Sequence, residues 1–242
     1  MGKVIVSGAG RASLDLQAGN LGIGATVKLM ENSVATDFIV VHQGLPGSMY
    51  DSSCDGTWLL RKDVYGQTMA WDFQYDDNSG TIIYDYCSLK TWLNNDYMAL
   101  LGSVEQATAK EVKVPYVKYV GSSSSVVSGA EGAIVKAFPL SASEVGWTSA
   151  IDSTILADGS RLAYFLDGNS TEAKNKRIGY LSGSAVNYWT RSPKGPSANI
   201  WQVRSTGENV SLASAYTGGR VRPTLIIPST SRFDKNTLLL KG

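Results

Sequence analysis

Residues 187–228 read NYWTRSPKGPSANIWQVRSTGENVSLASAYTGGRVRPTLIIP. An aromatic and charged cluster, Tyr188, Trp189, Arg191 and Pro193, opens the stretch. Arg220-Val221-Arg222-Pro223 closes it, running into the apolar Thr224-Leu225-Ile226-Ile227. The residues between are small, polar and aromatic and hold no sustained helical or strand period. Rigid ends around a permissive middle predict a scaffold carrying a recognition surface, because loops on rigid frames host much binding chemistry. Trp189, Trp201, Arg191, Arg222 and Pro223 are the expected frame, since indoles anchor a core and guanidinium forks pair with carboxylates or carbonyls. The expected contact residues are Tyr188, Lys194, Ser197, Asn199, Gln202, Arg204, Ser211, Ala213, Ser214, Tyr216 and Thr217. Tyr gives such a surface rigid area, and Ser or Asn gives adaptable hydrogen bonds.

Outward from this stretch, the 242 residues suffice for one large domain, or a domain with an appendage, and for a sizeable core. The composition, 43% hydrophobic and 18% charged, is that of a globular chain. A net charge of +1 leaves no electrostatic footprint for nucleic acid or an anionic membrane. No apolar run reaches the about 20 residues of a membrane span. The opening MGKVIVSGAG has no signal-peptide pattern, so cytosolic synthesis is expected, with release by lysis or by assembly into something larger. Residues 1–25, rich in Gly and Ala, read as an arm that docks the domain 26–242 onto a partner. Gly8-Ala9-Gly10-Arg11-Ala12-Ser13 lacks the sixth-place glycine and following helix of a dinucleotide fingerprint.

The chemistry of an active site is missing from the pattern. His42, the single histidine, lies beside Val40-Val41 and reads as a hydrogen-bonded core residue; no Gly-x-Ser-x-Gly elbow accompanies it. Asp76, Asp77 and Asn78 lack the spacing and closing Glu of an EF-hand loop, and a zinc site with several histidines is impossible. Asp152, Asp158, Asp167 and Glu172 are available carboxylates in separate turns without a paired motif. We therefore expect no enzyme, no cofactor and no metal. Cys54 and Cys87 are compatible with one disulfide or with two buried thiols.

Along the chain, Thr26–Met30 and Thr36–His42 around Glu31-Asn32-Ser33 predict a hairpin, and Trp58–Lys62 another strand. Ser88–Asn95 is the clearest helix, capped by Ser88, with Leu89, Trp92 and Leu93 on one face and Trp92 in the frame. A second helix is expected over Met98–Lys110, an edge strand over Val112–Val117, and a flexible loop over Gly121–Gly132. A strand over Ile134–Leu140, a capped turn over Ser141–Trp147, a short helix over Ser160–Leu166 and a solvated basic loop at Ala173–Arg177 complete the reading. The expected class is α+β, with short antiparallel strands, two or three short helices and long loops.

The helix SLKTWLNNDY and the segments YWTRSP and GGRVRPTLII carry a resemblance. The chain resembles a family of gut Firmicutes and their phages that shares a [ST]-x-[IL]-[RK]-x-[WY]-L-N-x-[DE] helix, a W-x-R-S-P segment and a V-R-P-x-L strand. The matching residues are Ser88, Leu89, Lys90, Trp92, Leu93, Asn94 and Asp96, then Trp189, Arg191, Ser192 and Pro193, then Val221, Arg222, Pro223 and Leu225. GATVKL, FIVVHQGLP, MYDSSCDGTWLLRKD and LSASEVGW extend it across roughly residues 20–228. The resemblance implies a C-type-lectin-like fold, similar to formylglycine-generating-enzyme-like domains and to the variable proteins of diversity-generating retroelements. In those variable proteins the two motif segments are scaffold, and the residues between them form the diversified ligand surface. Glu-Pro-Asn, Gln-Pro-Asp and Trp-Asn-Asp are absent, and no Cys follows Cys87, so neither calcium-mediated sugar binding nor formylglycine-generating chemistry is implied.

By that resemblance the chain is a phage virion protein of the tail or fibre tip that binds a host receptor, protein or glycan. It would be made in the host cytoplasm, join other virion proteins and form a homo-oligomer such as a trimer, without membrane insertion. A bacterial or prophage surface adhesin or carbohydrate-binding module is the alternative, and a cell-wall hydrolase the third reading.

Overall fold

The computed structural model describes residues 15–73, 80–195 and 198–242, without the side chains of 211–213. The expected nucleotide-like segment at 8–13, the acidic cluster 76–78 and Ser197 lie outside the described residues. The architecture is α+β: small antiparallel sheets with a few short helices.

The largest sheet has five strands in the order Ala137–Phe138, Thr224–Ile227, Thr57–Arg61, Val34–Gln43, Thr26–Glu31. Its edge hairpin closes through Asn32 and Ser33, both at positive φ (51° and 62°), the signature of a two-residue type I′ turn. Val27, Leu29 and Glu31 alternate inward along Thr26–Glu31. By contrast, Thr57–Leu60 and Thr224–Ile227 are buried at every position, which is why they read as continuous apolar runs. Trp58 sits in the middle of this core, edge-on to Tyr50 and Phe138.

One helical segment covers the sheet. It starts as α-helix at Ser88–Trp92, widens into a π turn at Leu93–Tyr97 and ends as α-helix at Met98–Leu100. Leu89, Leu93 and Tyr97 are buried, while Trp92 is half-buried against Tyr65 and Tyr97. The cap is Cys87, whose sulfur accepts from the Lys90 N–H; the expected cap Ser88 instead accepts from the Phe73 N–H. The expected second helix over 98–110 is divided, since 98–100 finishes the first helix and only Ser103–Thr108 forms a separate one.

Other expectations are corrected. Val112–Val117 is two strands: Val112–Val114 pairs with Ala133–Val135, and Tyr116–Val120 pairs with Ile82–Ile83 and Ser123–Val127. Pro115, which has no N–H for a ladder, stands where the chain changes sheets. The expected flexible loop at 121–132 therefore contains a paired strand, Ser123–Val127, whose serine-rich sequence hid it. Residues 160–166 form turns rather than a helix. Thr171–Arg177 is a helix rather than a solvated loop, and Arg177 is buried. The two cysteines are free and buried, and burial pushes the Cys54 thiol up to about 12.

Residues 15–25, assigned to the arm, pack on the chain's own body. Leu16–Gln17 pairs with Arg232–Phe233, which pairs in turn with Leu240–Lys241. The Gln43 side-chain amide donates to the Ala18 and Leu21 carbonyls at 2.9 and 3.1 Å.

Candidate functional site

The 187–228 stretch, read as lacking a period, holds a three-stranded antiparallel sheet of Tyr188–Pro193, Asn199–Val203 and Asn209–Ser214. Register shifts between Trp189 and Pro193 and between Ile200 and Gln202 break the two-residue alternation. Every residue of Tyr188–Pro193 is also buried, so neither face shows a polar stripe. Bulges and two-sided burial thus erased the strand signal.

The frame is a polar core. Arg191 is fully buried and holds the fully buried Glu144 with two hydrogen bonds of 2.6 Å. Its remaining donors reach the Pro115, Pro139 and Asp158 carbonyls at 2.8, 3.1 and 3.3 Å. Glu144 also accepts from the Tyr50 hydroxyl at 2.8 Å and the Ser141 N–H at 2.9 Å, which saturates its carboxylate. Next along the strand, the Ser192 hydroxyl accepts from the Ala142 N–H and donates to Asp158. Burial raises the Asp158 carboxyl above the usual range, against the opposing pull of Arg191 and Ser192. Arg222 takes carbonyls instead of a carboxylate, donating to Lys62 at 2.8 Å and Arg61 at 3.2 Å, with its guanidinium over the Tyr188 ring. The Trp189 indole donates to the Met69 carbonyl, and Pro223 is buried.

Of the expected contact residues, Tyr188 and Gln202 are buried, at 3% and 6% exposure, so neither offers a free surface. The Tyr188 hydroxyl is committed inward, donating to the Arg177 carbonyl at 2.6 Å. Lys194 is half-buried between Asp152, 3.6 Å away, and the Trp201 ring, 4.7 Å away. Asn199 and Ser214 are half-buried register partners at one end of the sheet, and Tyr216 and Thr217 are exposed just beyond. Ser211 and Ala213 lie in the third strand, their side chains outside the described ones. Arg204 is exposed but sits at the opposite end of the second strand, roughly 16 Å from Asn199 by strand rise. The set is therefore divided: Lys194, Asn199, Ser214, Tyr216 and Thr217 share one end, without Arg204.

Tertiary structure adds two residues that the sequence reading passed over. The Asp72 N–H donates to the Ala215 carbonyl at 2.9 Å, and the Phe73 N–H donates to the Ser88 hydroxyl at 3.0 Å. These bonds join the segment at Phe73 to those carrying Tyr216 and Tyr86, and the three aromatics are exposed at 69%, 53% and 77%. The pairing of Gly218–Gly219 with Met69–Ala70 brings the segments of Phe73 and Tyr216 together, which their positions in sequence do not show.

The catalytic possibilities are equally concrete. His42 accepts from the Ala163 N–H and lies edge-on to Trp58, and burial lowers its pKa. Asp152 pairs with Lys194, Asp167 pairs with Arg161, and Glu172 lies in the first turn of Thr171–Arg177. Among the described residues no cluster of His, Cys, Asp and Glu could hold a metal ion, and no helix is long and apolar enough to cross a membrane.

The sequence model of a domain of unknown function, DUF6273, matches residues 55–229, from the Thr57–Arg61 strand through the frame motifs. The chain belongs to this family. The matched span contains the three-stranded sheet, the helix at 88–100 and the Arg191–Glu144 core. No curated protein and no solved structure matches the chain.

Proposed function

We propose that the chain is a phage virion protein, carried at the tail or fibre tip, that binds the host surface through a loop face on a C-type-lectin-like scaffold. The small antiparallel sheets, few short helices and long connections support that scaffold. The observation that carries the binding reading is the exposure of three large aromatics, Phe73, Tyr86 and Tyr216, on segments tied together by backbone bonds over a frame closed by Arg191 and Glu144. Exposed large aromatics on a rigid base are costly to leave in water and are the residue types that anchor interfaces. Lys194, Asn199, Ser214 and Thr217 would form the adaptable polar rim. The partners in this reading are a host receptor and other virion proteins.

The test has two arms. Purified virions are probed for this chain, and the isolated protein is titrated onto host cells as wild type and as Phe73→Ala, Tyr86→Ala and Tyr216→Ala. The reading expects the chain in the particle and at least a tenfold loss of binding in two of the three variants at unchanged Tm. Absence from virions, or wild-type binding by all three, sinks it. Retroelement diversification is checked separately, by seeking a near-duplicate of the codons for 187–223 that differs at adenines and lies beside a reverse transcriptase gene.

A further inference from the structure

The helix at 88–100 carries a surface that the host-binding face does not use. Tyr65, Trp92 and Tyr97 form a closed trio of rings, with centroids 5.4, 5.5 and 5.9 Å apart. Tyr97 is buried, but Trp92 and Tyr65 are half-buried. The trio brackets the π turn at Leu93–Tyr97, a rare helix form that recurs at functional sites. In this turn Leu93 belongs to the core, and Asn94 is consumed by backbone bonds. Asp96 is exposed, and four positions on from Trp92 it lies on the same side of the helix.

The charges around the rings are of one sign. Beneath them Glu31 and Arg61 cancel, since the guanidinium donates twice to the carboxylate at 2.9 Å and the Tyr97 hydroxyl adds a bond of 2.8 Å. Asp63 is exposed and close enough to act on Arg61, whose guanidinium lies over the Tyr65 ring at 5.6 Å. Lys62, beside Asp63 in sequence, is held 3.2 Å from Asp37. Among the described residues neither Asp63 nor Asp96 has an ion-pair partner. The carboxyl end of the helix, at Leu100, adds negative potential. On the far side of Tyr65, Asn32 reaches its hydroxyl and lines a surface hollow of about 460 Å³, walled by Met30, Ala99, Leu100 and Leu101.

We propose that this face docks a basic segment of a partner protein, one that presents a lysine or arginine side chain beside an apolar one. The cationic head meets Asp63, Asp96 and the open side of Trp92, because carboxylates and an indole face both favour positive charge. The neighbouring apolar side chain enters the hollow. An acidic segment would meet two like charges here and is rejected. No residue of this face is shared with Phe73, Tyr86 or Tyr216, so the two surfaces stand or fall separately.

The experiment is an NMR titration of the full chain with acetyl-Lys-Leu-amide and acetyl-Arg-Leu-amide at low ionic strength. Acetyl-Glu-Leu-amide and tetramethylammonium serve as comparisons. The expected result is a saturable shift of the Trp92 indole N–H and of amides in 32–33, 63–66 and 91–99 with at least one basic peptide. Raising the ionic strength from about 0.01 to about 0.15 M should weaken it roughly threefold or more, since exposed charges are screened. The double variant Asp63→Asn, Asp96→Asn should weaken it by a similar factor at wild-type Tm, because both side chains are exposed and unpaired. Trp92→Leu should weaken it too, by removing the indole face while keeping an apolar side chain. The proposal is overturned if no resonance of this face moves with either basic peptide, if the glutamyl peptide binds as tightly, or if the double variant binds like wild type. A response to tetramethylammonium alone would overturn it in favour of a quaternary ammonium ligand. Shifts confined to Phe73, Tyr86 or Tyr216 would overturn it while leaving the host-binding face intact.

Discussion

Arg191 shows how one residue organises its surroundings. Its guanidinium joins the 188–193 strand to Glu144 and, through carbonyls, to residues 115, 139 and 158. Removing one partner of a buried pair strands the other charge, so Arg191→Ala should cost about 3–5 kcal/mol in chemical denaturation. Arg191→Lys should recover only part of that, since an ammonium cannot reproduce the fork. Asp158 has the opposite character. Burial raises its pKa in the folded state, so the folded protein binds this proton more tightly than the unfolded chain. Its contribution to stability is therefore greatest at low pH and is lost as pH rises through the raised value. Asp158→Asn should remove that dependence, and the difference between wild-type and variant stability curves should fall as pH increases; a flat difference would count against it.

At the scale of elements, the helix at 88–100 is joined to the main sheet by Asn94. Its amide donates to the Lys90 and Ala137 carbonyls at 2.9 and 3.0 Å, and its oxygen accepts from the Lys136 and Ala137 N–H groups at 2.6 and 3.2 Å. The Lys90 carbonyl, where the α-helix passes into the π turn, accepts from both the Leu93 N–H and the Asn94 amide. Asn94→Ala should cost about 1–3 kcal/mol by leaving these groups short of partners. Faster hydrogen exchange at the Lys136 and Ala137 amides would locate the damage, and unchanged exchange there would refute the role. The three-stranded sheet teaches a complementary point: despite two register shifts it buries Trp189 and Trp201, while Asn199 and Ser214 at one end stay half-buried.

For the whole molecule, the frame and the face make separable predictions. Trp189→Ala should cost about 3–5 kcal/mol through the cavity it leaves. Tyr216→Ala, at an exposed position, should leave Tm near wild type and weaken host binding at least tenfold. Melting and cell-binding curves measured on the same preparations decide between this division and its reverse. The packing of Gly219 makes the same division visible from the other side. Its position lies against the Trp189 ring so closely that any Cβ would clash, which is how the Arg220–Pro223 segment approaches the Tyr188–Pro193 strand.

The sequence by itself determined the α+β class, the 26–42 hairpin, the first helix and the family motifs, because each rests on local period, turn chemistry or residue identity. It also marked Trp189, Arg191, Trp201, Arg222 and Pro223 for the interior, since large aromatic and forked cationic side chains beside apolar runs have few other places to go. Only the tertiary structure decided that Arg191 pairs with Glu144, 47 positions away, and that Tyr188 and Gln202 turn inward. It alone joined the segments of Phe73, Tyr86 and Tyr216 through the Asp72–Ala215 and Phe73–Ser88 bonds. Such features arise from long-range pairing and from bulges that cancel the alternating pattern, so no local stretch of the chain records them.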